Sequence, residues 1–180
     1  MNALSNTLFD AELWARKNLL GASSLKKETL RAIAGFTLLW SLFEERVCEN
    51  KAKVKTFECI AHNLPSSPKL EKLVNESISF YRSRYVMDQE MTPIFSRLEF
   101  RRNDRREHVE VVLKGEITEF GSKMLALLII AYRIRCNLFH GLKSVDNWDN
   151  QAKNISEASR ILSLMFEANG GGIVELSQAT

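Results

Sequence analysis

Apolar residues recur along this chain mainly at three- and four-residue steps, the signature of one-sided helices. The spacing of Leu4, Leu8, Leu13 and Leu20 predicts a helical N-terminal stretch without clear caps. Gly21, Ala22, Ser23 and Ser24 interrupt it, with Ser24 the expected N-cap of the next helix. Over residues 28–50, Ile33, Phe36, Trp40, Phe43 and Val47 form one face of a long helix, and Glu44, Glu45, Arg46 and Glu49 gather at its far end. In "LPSSPKLEKLV", Ser67 is a cap and Pro68 suits the first helical position, opening a helix to about residue 84. Pro93 in "MTPIF" breaks the pattern by disfavouring helix in the residue before it. Asp104 is placed to cap a short helix over residues 105–114, although "HVEVVL" also fits a strand.

Residues 117–140 predict a second long helix, apolar nearly all round between Met124 and Ala131. Such a helix needs protein on every side. That requirement leads us to expect a homodimer, because a small bundle does not readily supply so much cover. Gly141 suits the left-handed position after a helix, and "VDNWDNQ" restarts one with Asp146 as N-cap and Asp149 three residues on. The core face of this last helix is Ile155, Ala158, Ile161, Leu162, Met165 and Phe166, and Gly170 to Gly172 end it. The expectation is one all-α helical bundle over residues 1–180, with 1–24 an N-terminal extension and 170–180 a flexible tail.

Composition narrows the class. The 180 residues suffice for a single core, and 8 glycines and 3 prolines exclude a disordered or turn-rich all-β chain. A net charge of +3 permits an anionic partner without demonstrating one. Three cysteines without CxxC pairing read as reduced thiols, and the N-terminus has no long apolar core of a signal peptide, so a cytoplasmic protein is expected. The apolar run before Tyr132 is too short to cross a bilayer.

The chemistry concentrates in "YRIRCNLFHG", residues 132–141. At 100° per residue, Arg133, Asn137 and His140 share a face, whereas Arg135 points away. One reading makes His140 and the arginines favourable cations at a helix C-terminus. The other makes His140 an acid or base, with an arginine to hold phosphoryl oxygens and Asn137 to orient the ring or a substrate oxygen. His62 and His108 lack partners at metal-ligand spacing, there is no CxxC, HExxH or phosphate-loop motif, and neither metal nor other cofactor is expected. "RSRYVM" and "FRRNDRRE" carry six arginines that fit either an RNA-tracking patch or a solvated surface offset by Glu99, Asp104 and Glu107.

The string "RCNLFHG", residues 135–141, resembles the Arg-x4–6-His motif of the HEPN superfamily (higher eukaryotes and prokaryotes nucleotide-binding domain), with "LLIIAYRI" matching its apolar lead-in. "FTLLWSLFEERV", residues 36–47, is similar to the Trp-containing first helix of such domains, and Glu44 stands where a polar residue faces the motif. The resemblance spans roughly residues 28–169. It implies a helical bundle that dimerises with its motifs facing a shared cleft. It implies a metal-independent endoribonuclease of toxin–antitoxin or phage-defence systems, acting on RNA and paired with an antitoxin or other neutralising protein. Arg135, Asn137 and His140 take the catalytic places, Arg133 positions phosphate at the rim, and Glu44 supports the motif from behind. Cys136 departs from the pattern, standing where a polar residue is usual. That departure favours the alternative, a non-catalytic HEPN interaction or nucleotide-binding domain.

Overall fold

The computed structural model describes residues 8–18, 22–139 and 148–168. Among them the protein is mostly helical, with eight α-helices and one two-stranded hairpin. Helix α1 (Ala11–Asn18) buries no side chain, and a 3-10 turn at Ala22–Ser24 leads to α2 (Lys27–Arg46). Of the predicted face, Phe36, Trp40 and Phe43 are buried, and Ile33 and Val47 pack against the core at its edge. Ser24 does not cap α2. The cap position is Lys26, and the helix start is closed from far along the chain by Asp149, whose Oδ1 accepts from Lys26 N at 3.2 Å and from Thr29 Oγ1.

Helix α3 (Val54–Asn63) has no counterpart in the sequence expectations, yet Phe57 and Ala61 enter the core. Helix α4 (Pro68–Tyr85) opens as expected, with Ser67 Oγ accepting from Leu70 N at 3.2 Å. The interruption after it contains a tight hairpin, β1 (Val86–Met87) and β2 (Glu90–Met91), paired antiparallel. Asp88 and Gln89 turn it with φ of 50° and 63°, as a mirror-image two-residue turn requires. Thr92 is extended before Pro93, as its neighbour demands, and α5 (Pro93–Ser96) comes next.

Helix α6 (Arg106–Lys114) settles the ambiguity of "HVEVVL" in favour of helix. Gly115 ends it at φ 89°, and Arg82 from α4 donates through Nε to the Leu113 carbonyl at 2.7 Å. Helix α7 (Phe120–Phe139) is the axis of the bundle, touching α3, α4, α6 and α8 (Ala152–Ala168), while α2 lies along α8. From Met124 to Ala131 no residue of α7 is more than 7% exposed. All of that cover comes from the same chain, so the need to bury α7 is no argument for a dimer. The predicted face of α8 is buried at Ile155, Ala158, Ile161, Leu162 and Met165, with Phe166 at its edge. Among the described residues no helix is long and apolar enough to cross a membrane. Gly141, Asp146 and the residues after Ala168 lie outside the described part.

Candidate functional site

The last two turns of α7 carry the polar groups singled out in the sequence, and the bundle divides them between two faces. Arg133 and Asn137 look toward the chain between α5 and α6. Arg133 is 1% exposed; its Nε donates to the Leu98 carbonyl at 2.9 Å and its Nη2 to that of Glu99. Its Nη1 stands 3.1 Å from Asp104 Oδ2, an ion pair without an aligned hydrogen bond. Asn137, 2% exposed, donates through Nδ2 to the Arg97 carbonyl at 2.9 Å, and among the described residues its Oδ1 has no partner. The three carbonyls belong to Arg97, Leu98 and Glu99, directly after α5, whose own last carbonyls are met by the backbone N–H groups of those same residues. Two side chains of α7 therefore supply donors to the chain that follows α5.

This arrangement corrects two expectations. Arg133 is not at a rim, because its guanidinium is enclosed and each of its nitrogens faces a protein oxygen. Asp104 does not cap α6. It is 6% exposed and turned inward, accepting from Arg101 N at 2.7 Å and facing Arg133, while the cap position falls to Arg105 with φ 50°.

Arg135 lies on the other face, against α2. It is partly buried, with its guanidinium carbon 5.9 Å from the Trp40 ring centre and 5.4 Å from that of Phe139. Among the described residues no carboxylate or carbonyl pairs with it, and its Nε is enclosed without a partner. Trp40 is buried in an aromatic cluster with Phe36, Phe43 and Tyr132. The outlet for its indole N–H is Glu44, reached at 2.8 Å. Glu44 and Arg135 thus meet on one indole, four residues apart on α2 being enough to place Trp40 and Glu44 on the same side. A cation over an indole gains about 0.5–2 kcal/mol depending on its exposure. That contact holds the Arg135 guanidinium by its face and uses none of its hydrogen-bond donors.

The two thiols beside this cluster, Cys48 and Cys136, are free and buried. Burial first, and then the Glu44 carboxylate, push the Cys48 thiol up to about 12. Cys136 is buried as well, and burial followed by the neighbouring Cys136 raises the Tyr132 hydroxyl above its ordinary value. Phe139 ends α7 half-exposed, and His140 lies outside the described residues.

One grouping was not legible in the sequence. His62 and His108, from α3 and α6, line one open groove of about 790 Å³ at the N-terminal end of α7. His108 Nε2 donates to the Ser122 carbonyl at 3.1 Å, and Arg105 pairs with Glu58. Lys55 and Arg105 are balanced there by Glu58 and Glu119, so the groove has no dominant charge. Among the described residues no cluster of three or more His, Cys, Asp or Glu is placed to hold a metal ion. Compared with protein-family models, curated proteins and solved structures, the chain matches none.

Proposed function

We propose that this protein is a metal-independent endoribonuclease of HEPN type, cutting RNA at the C-terminal end of α7. The observation that carries the reading is Arg135, which has no protein acceptor among the described residues and is held by Trp40 and Phe139. A permanent cation with planar donors is the group a pentacoordinate phosphorane requires. His140 takes the proton of the 2′-hydroxyl or supplies one to the departing 5′-oxygen. The 2′-oxygen attacks the adjacent phosphorus, the bond to the 5′-oxygen breaks, and the products are a 2′,3′-cyclic phosphate and a 5′-hydroxyl. Asn137 has its amide nitrogen engaged and its enclosed Oδ1 without a partner among the described residues, so its part is to accept a hydrogen bond from the ring of His140. Glu44 acts through Trp40, as a positioning residue for Arg135. By the same resemblance the working form is a cytoplasmic homodimer in a toxin–antitoxin or phage-defence system, with a neutralising protein as partner.

The second reading, a non-catalytic HEPN interaction or nucleotide-binding domain, is favoured by a specific observation. Arg133 and half of Asn137 serve the fold, and Cys136 is buried. Expression in a bacterium separates the two. On the nuclease reading wild type slows growth and cuts RNA, while His140→Ala folds and is harmless. Intact RNA and equal growth for both chains would leave the binding domain.

A further inference from the structure

The chain from Arg97 to Arg105 does more than connect α5 to α6. Two of its non-glycine residues, Glu99 at φ 55° and Arg105 at φ 50°, hold a left-handed backbone. Each such residue costs about 1 kcal/mol or more and persists only where its surroundings over-determine it. Here the surroundings are explicit. Asp104 Oδ2 ties back to Arg101 N, Arg133 holds Asp104 and the Leu98 and Glu99 carbonyls, and Asn137 holds the Arg97 carbonyl. The segment is fixed to the motif-bearing turns of α7 from inside.

What this frame presents outward is charge. Arg97, Arg101 and Arg102 are exposed and have no carboxylate partner among the described residues, whereas Arg105 pairs with Glu58 and Arg106 with Glu110. Asp104, which interrupts the arginines in sequence, is buried and matched by Arg133, so it does not offset them at the surface. Exposed Glu99 and Glu107 are the remaining acids of the segment. Positive-φ residues also occur in other turns of the fold, at Glu49, Asn50, Asp88 and Gln89, so it is the buried ion pair that sets this segment apart. The buried ties fix the backbone from which the three exposed arginines project, so less freedom is left to lose when they bind an anion.

The geometry points to residues 97–105 as a phosphate-binding surface, on which Arg97, Arg101 and Arg102 engage the RNA backbone flanking the cut. Arg133 and Asn137 set the position of that surface relative to the end of α7. The inference rests on the proposed action on RNA. Single-stranded RNA contributes a slope of about 0.7 per neutralised phosphate to the dependence of log affinity on log salt, so three contacts amount to about 2.

The test uses the full chain carrying His140→Ala, so that RNA survives, and a short fluorescein-labelled single-stranded RNA whose anisotropy is measured between about 50 and 200 mM KCl. Adding Arg97→Ala, Arg101→Ala and Arg102→Ala is expected to flatten the slope by about 2 and weaken binding at low salt by at least about tenfold. The three lysine replacements are expected to keep most of the slope. A control with Lys51→Ala, Lys53→Ala and Lys55→Ala, the same loss of charge at exposed sites elsewhere, is expected to keep it as well. An unchanged slope in the arginine variant, or an equal loss in the lysine control, overturns the surface and leaves the RNA reading standing. No binding by the parent at any salt overturns the RNA reading and the surface with it.

Discussion

Replacing Arg133 by Met keeps a long side chain in place and removes the charge. Asp104, with 8% of its side chain exposed, then faces no cation, and the Leu98 and Glu99 carbonyls lose their donors. Breaking a buried ion pair from one side costs about 3–5 kcal/mol, because the surviving charge stays desolvated. That is a large share of the roughly 5–15 kcal/mol that holds a domain folded. For a chain of this size each kcal/mol moves Tm by about 2–4 °C, so a fall of about 6–20 °C is expected. Denaturant and thermal unfolding, monitored by far-UV circular dichroism, measure it. Asp104→Leu alone should also destabilise, and the double variant should cost at least about 1 kcal/mol less than the sum, because neither charge is then stranded. An Arg133→Met protein within about 1 kcal/mol of wild type, or strictly additive single variants, would refute the structural role assigned to this pair.

Other outcomes are expected at separate places in the fold. Thiol titration of the native protein at neutral pH should find one fast cysteine, the exposed Cys59, with Cys48 and Cys136 reacting only on unfolding; rapid native labelling of Cys48 would contradict the high pKa that burial gives it. The hydrogen bond from Thr29 first, helped by Lys26, holds the Asp149 carboxyl below its ordinary 3.8. A depressed folded pKa stabilises above the unfolded value and loses that contribution as pH falls through the folded one. The stability gap between wild type and Asp149→Asn should therefore be full at neutral pH and shrink in acid below about pH 4; a gap independent of pH would be evidence against this cap. Arg135→Ala should fold and lose at least about a hundredfold in cleavage rate, the scale of removing one transition-state donor; an unfolded Arg135→Ala protein would place that arginine in the framework instead.

The long helices were legible because their signals are local. Ser67 and Pro68 announce α4, and the spacing of Phe36, Trp40 and Phe43 announces α2, without reference to the rest of the chain. Caps supplied from a distance were not legible. Nothing near Lys26 says that Asp149 will close α2, and Asp149 looked like the second half of a local capping box. The short hairpin was missed because two-residue strands have no periodicity, and its turn is made by Asp88 and Gln89 rather than by glycine.

The candidate site divides in the same way. Helical geometry correctly put Arg133 and Asn137 on one face, but that face meets backbone carbonyls more than thirty residues earlier in the chain, and no side-chain pattern encodes a backbone acceptor. The same holds for Asp104, whose turn inward removes it from the surface charge. For Glu44 the spacing from Trp40 was visible in the sequence, whereas its bond to the indole and the guanidinium stacked on that ring required the fold.

The central claim is that RNA is cut by its own 2′-hydroxyl, assisted by Arg135 and His140 without a metal. The most direct measurement incubates the purified protein, in excess chelator, with an end-labelled RNA and with the same RNA carrying one 2′-deoxy residue at the cut. The account predicts cleavage of the first to a 2′,3′-cyclic phosphate and complete resistance at the substituted linkage. Magnesium-dependent cutting of both strands, leaving no cyclic phosphate, would contradict it.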